Sequence, residues 1–115
     1  MIDFEDGSTN VYADLGRVDA EEMLVKAQLA VKIAEVIKQR GLTQATAAGI
    51  LGIPQPKLSK MLRGQFRGVS EDRMMRCLVA LGHHVRIVVE PARKGRRGSL
   101  TVFGAKQAAA PSSRR

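Results

Sequence analysis

Within the nine residues from Gln55 to Arg63 the chain sets one side-chain amide, Gln55, one hydroxyl, Ser59, and three cations, Lys57, Lys60 and Arg63. Just upstream, Thr43 and Gln44 add a second hydroxyl and a second amide. These groups hydrogen-bond and neutralise; they do not cleave bonds. A glutamine can donate and accept at once against adenine N7 and N6, whereas lysine and arginine grip phosphates or donate to guanine. The chemistry on offer is recognition of a polyanion.

Such side chains work only if short, rigid elements aim them. Thr43 is placed to cap a helix, "QATAAGIL", that stops at Gly52, and Gln55 or Pro56 opens a second helix ending near Arg63 and Gly64. Two short helices joined by a glycine-containing turn form a helix-turn-helix, whose second helix enters the major groove. Ala48 is small where the helices must approach closely, and Gly52 sits where the turn needs a positive φ. Ala47, Leu51, Ile53, Leu58 and Met61 supply the inward apolar set. Pro54 and Pro56 fall where helical N–H groups lack intrahelical acceptors, so they stiffen the entry without breaking the helix.

Around this pair the pattern is helical and then changes. Asp19 with Glu22 forms a D-x-x-E start signal for a long amphipathic helix, with Met23, Ala27, Ala30, Ala34 and Ile37 on one stripe up to Gly41. Ser70, followed by Glu71 and Asp72, opens a fourth helix that ends near Gly82. "HVRIVVE", His84 to Glu90, alternates Val85, Ile87 and Val89 against Arg86 and Glu90, is rich in β-branched residues and is predicted as a strand; "SLTVF", residues 99–103, is a possible second. The expected architecture is mainly α, a helix-turn-helix domain with a short C-terminal strand or hairpin used in dimerisation. Val85, Ile87 and Val89 need a partner surface, and pairing across a two-fold axis supplies one.

Charge divides the 115 residues into three blocks. Residues 1–22 hold seven acids against Arg17 alone, residues 23–90 eleven bases against four acids, and the remainder seven bases and no acid. The expected divisions are an acidic arm over 1–18, the DNA-binding domain with its strand over 19–90, and a basic, flexible tail over 91–115. Duplex DNA is the expected partner of the basic blocks. The acidic arm, with Ile2, Phe4, Val11, Tyr12 and Leu15 among its carboxylates, suits a basic protein instead.

Other chemistries find little support. There is no Ser/His/Asp set and no pair of carboxylates at a cleft, and "KGRRG" lacks the flanks of a phosphate-binding loop. His83 and His84 have no third ligand nearby, and neighbours on a strand point to opposite faces. Cys77 is expected in the core. Neither catalysis nor a metal or cofactor is expected. The apolar runs are too short to cross a bilayer and the start is acidic, so a cytoplasmic, membrane-independent protein is expected.

The stretch "LTQATAAGILGIPQPKLSKMLRG" resembles the helix-turn-helix of XRE and Cro/C1-type repressors. With "NVYADLG", "DAEEMLVKAQLA" and "LGHHVRIVVEP" the likeness extends to an XRE subgroup that includes Hig-type antitoxins. This resemblance implies a lambda-repressor-like domain in a homodimeric repressor of its own operon, paired with a small basic toxin that cleaves mRNA; a stand-alone XRE regulator is the alternative. It also implies that Gln44 touches a phosphate and braces Gln55, that Gln55 reads a base, and that Ser59 and Lys60 face the DNA. Pro54 departs from the pattern, since Ser or Thr usually caps this helix.

Overall fold

The computed structural model describes the backbone of residues 8–104, with the side chains of residues 18–104. Four helices follow in order: α1 Ser8–Gln39, α2 Gln44–Leu51, α3 Gln55–Leu62 and α4 Glu71–Ala80. The last three begin and end where local chemistry dictates. Thr43 Oγ1 accepts from Thr46 N at 3.0 Å and Ser70 Oγ from Arg73 N at 3.1 Å, each satisfying an amide the helix cannot. Gly52 closes α2 with φ +71°, a left-handed conformation that costs other residues strain.

The first helix differs from expectation. It starts at Ser8, not at Asp19, and passes straight through the D-x-x-E signal. No proline interrupts residues 8–39, and both acids of the signal are engaged elsewhere. Asp19 pairs with Arg67 at 3.2 Å, and Glu22 pairs with Lys26 one turn on at 3.2 Å. Residues 8–18 of the expected acidic arm therefore continue α1, while residues 1–7 lie outside the described residues.

The deepest stripe of α1 is Val25, Leu29, Ile33 and Val36, recurring at spacings of four, four and three. Ala30 and Ile37 of the expected stripe are buried beside it; Met23 and Ala27 cover its edge. This face lies along α4 and touches α3, and α2 rests on α3 and the end of α4. Met74, Cys77, Leu78 and Leu81 complete the core from α4 and its cap. Burial holds the Cys77 thiol above its ordinary pKa, with Arg73 pulling weakly the other way, so it behaves as a small apolar group.

After Leu81 the described residues form neither helix nor strand. Neither expected strand, His84 to Glu90 or residues 99–103, has a ladder partner among the described residues. Val85 and Val102 rest against the core, while Ile87 and Val89 stand 75% and 90% exposed. Leu100 N donates to the Glu21 carboxylate at 3.3 Å, which returns the tail to α1. The last part of the expected flexible tail, 105–115, lies outside the described residues.

One polar group sits in this core. Lys26 is only 3% exposed, yet its ammonium donates to the Arg67 carbonyl at 2.9 Å besides pairing with Glu22, fixing α1 to the α3–α4 connection. Lys26→Ala leaves that carbonyl unpaired and removes the buried stem; we expect a loss of about 2 kcal/mol, or roughly 10 °C in Tm. Lys26→Met keeps the stem and should lose less. Thermal unfolding of the two variants measures both effects, and an Ala variant as stable as the parent would show that the anchor contributes nothing.

Candidate nucleic-acid interface

The interface is built on the junction of α2 and α3. Ala48 O accepts from Gly52 N at 2.8 Å and from Ile53 N at 3.1 Å, which satisfies the end of α2 and turns the chain sharply. Ala47, Ala48, Leu58 and Met61 are buried together, with Leu51 and Ile53 at the margin. Two alanines at the contact let the helix axes approach closely, and the fully buried Leu58 locks the rotation of α3. The opposite face of α3 is thereby forced outward.

That face carries the expected residues. Gln55, Lys57, Lys60 and Arg63 are exposed, and Ser59 is half-buried between them. Gln55, Ser59 and Arg63 recur every four residues and so form one row along α3, with Lys57 and Lys60 beside it. Thr43 and Gln44 are exposed at the start of α2. Structure thus groups all seven predicted residues on the two helices of the junction, α2 contributing an end and α3 a side.

Two details were not legible in the residue spacing alone. Arg63 Nη1 donates to Ser59 Oγ, so these two act as a pair in the free chain, the hydroxyl keeping its own hydrogen for another acceptor. An i, i+4 spacing permits such a bond without requiring it. Gln44 and Gln55, for their part, share no hydrogen bond here. The predicted dimerisation residues follow α4 and are no part of α2 or α3: Val85 packs on the core, and Ile87 and Val89 are exposed.

Among the described residues no group of three or more His, Cys, Asp or Glu could hold a metal ion. No described helix is long and apolar enough to cross a membrane.

A tight helix–turn–helix with an amide, a hydroxyl and cations on the outward side of its second helix defines a class of DNA-binding fold. The family model described as a helix-turn-helix domain matches residues 11–90, and the chain belongs to that family. It is 35% identical over 82 residues to a Mycobacterium tuberculosis (strain ATCC 25618 / H37Rv) protein provisionally described as antitoxin HigA3, a match covering 65% of this chain and 75% of that one. A solved structure provisionally described as an XRE family transcriptional regulator superposes with a TM-score of 0.71 at 39% identity, covering 76% of this chain and 99% of its own. The fold expected from the sequence, an XRE-type helical domain, is the fold observed.

Pro54 occupies the cap of α3 with φ −63° and ψ 142° and provides no side-chain bond, while its carbonyl accepts from Lys57 N and Leu58 N. Pro54→Ala should destabilise by about 0.4–1 kcal/mol through the freer unfolded chain. Pro54→Ser loses the same stiffening but gains a cap of about 1 kcal/mol, so it should match the parent within error. Urea unfolding of the three proteins tests this, and a serine variant no better than alanine would mean that the hydroxyl finds no amide to cap.

Proposed function

We propose that this chain is a sequence-specific DNA-binding repressor, acting as the antitoxin of a type II toxin–antitoxin pair that represses its own operon. The observation that carries the DNA-binding part is the outward row Gln55, Ser59 and Arg63 on a helix whose rotation is fixed by buried Leu58. Gln55 reads a base; Ser59 and Lys60 face the duplex; Lys57 and Arg63 hold phosphates or guanine; Thr43 and Gln44 meet the backbone at the end of α2. The antitoxin part is supported by the likeness to the protein described as antitoxin HigA3. In this reading residues 1–18 are an acidic arm suited to a small basic ribonuclease, 19–90 the DNA-binding domain and 91–115 a basic tail.

A stand-alone regulator is the second reading, favoured by the description of the solved structure as a transcriptional regulator. A neighbouring reading frame for a small basic toxin separates the two.

Selection of binding sites from random duplexes tests the recognition face. Gln55→Ala should cost about 1–3 kcal/mol on the preferred site and flatten discrimination at one position. Lys60→Ala should weaken all sequences alike and lower the salt slope by about one. An unchanged preferred motif for Gln55→Ala would remove Gln55 from base reading.

A repressor of this class reads two half-sites, so the proposal includes a two-fold dimer. The segment His84 to Glu90 suits the interface: its backbone has no ladder partner among the described residues, and Ile87 and Val89 project into solvent while Val85 holds the segment to the core. Pairing this segment with its copy bonds the backbone and covers the apolar side chains. A chain ended after Gly82 should be monomeric in light scattering and lose affinity for an intact two-half-site duplex. A truncated chain that remains dimeric moves the interface to α1.

A further inference from the structure

The most densely charged surface outside α3 is a turn in the tail. Arg93, Lys94, Arg96 and Arg97 fall within five positions and all are exposed. Among the described residues none of the four pairs with an acid. The turn has a defined form: Arg96 N donates to Arg93 O at 2.9 Å, and Gly95 takes φ +78°, the positive value that a type II turn requires at its third residue. It is also tethered on both sides, by Val85 against the core before it and by Leu100 N on Glu21 after it. The cations therefore project from an anchored stem.

Four like charges carried within five positions repel one another wherever their heads come within the screening length of about 8–10 Å at physiological salt. A polyanion with closely spaced charges relieves that repulsion, and duplex DNA offers one charge per about 1.7 Å of axis. Three of the four are arginines, whose planar and weakly hydrated heads suit phosphates and narrow minor grooves. On α3 the charge comes from Lys57, Lys60 and Arg63 alone.

We infer that the Arg93 to Arg97 turn is a second contact with duplex DNA, holding phosphates beside the sequence read by α3 and adding affinity without base preference. This rests on the reading of α3 as the recognition helix. The turn then contributes more neutralising charge than α3 does.

The test replaces Arg93, Lys94, Arg96 and Arg97 together by Gln in the full-length protein, with thermal unfolding to confirm the fold and the pair Lys94→Gln and Arg96→Gln as a milder variant. Both are titrated against the selected site carrying one helical turn of flanking duplex on each side, across a salt series. The fourfold variant should bind more weakly, with a salt slope smaller by about 2–4 and the unchanged motif; its deficit should shrink about 16- to 250-fold between 50 and 200 mM salt. The double variant should show about half the change in slope. Wild-type affinity and slope in the fourfold variant overturn the inference while leaving α3 as the reader, and point to an acidic protein segment as the turn's partner. A wild-type protein that binds no duplex overturns both.

Discussion

The close approach of α2 to α3 is the constraint on which the molecule depends. Ala47 and Ala48 bring the two axes together, and Leu58 and Met61 fill the space beneath. A larger residue at either alanine would push α3 outward and rotate its face, because a close-packed interior transmits volume changes. The remaining helices act as the clamp. α1 and α4 supply most of the core, and their polar ties, Arg40 to the Leu81 carbonyl at 3.1 Å and Lys26 to the Arg67 carbonyl, sit at separate points along α1. The small recognition unit is thus held by a larger body that makes no use of its outward side chains.

Charge is arranged with the same economy. Within residues 23–90 no carboxylate lies between Glu35 and Glu71, so the α2–α3 face has no acid of its own to neutralise its cations. The acids of α1 instead turn to structural partners: Asp19 to Arg67, Glu21 to the tail amide of Leu100, and Glu22 to Lys26. The Asp19–Arg67 pair is exposed and individually weak, whereas the Glu22 pair reaches a buried lysine. Together these contacts occupy Asp19, Glu21 and Glu22 with architecture and leave the cations of α3 open.

What could be deduced from sequence divides by range. Thr43, Gly52, Ser70 and Gly82 mark helix limits through bonds and dihedrals that span only a few residues, and each limit lies where those residues imply. The outward set on α3 follows from the same short-range logic once Leu58 and Met61 are recognised as inward. The start of α1 was not deducible, because the partner that draws Asp19 away from capping is Arg67, 48 residues on. Buried Lys26 escaped for a similar reason: a lysine reads as surface until a distant carbonyl is brought to it. The segment from His84 forms no ladder among the described residues, since alternation announces a strand but a strand is completed only by a neighbour.

The two prolines at the head of α3 have an effect on the backbone itself. The first amides of a helix ordinarily point outward together and form a cradle for anions. Here Pro54 and Pro56 have no N–H, and Lys57 N is turned back to the Pro54 carbonyl at 3.0 Å, so Gln55 N is the one amide of this first turn without an acceptor among the described residues. The peptide chain has given up most of its sequence-blind hold on anions at the head of α3. A group that approaches this end of the helix meets the side-chain amide of Gln55 and few backbone donors, so an anion gains little there from charge alone.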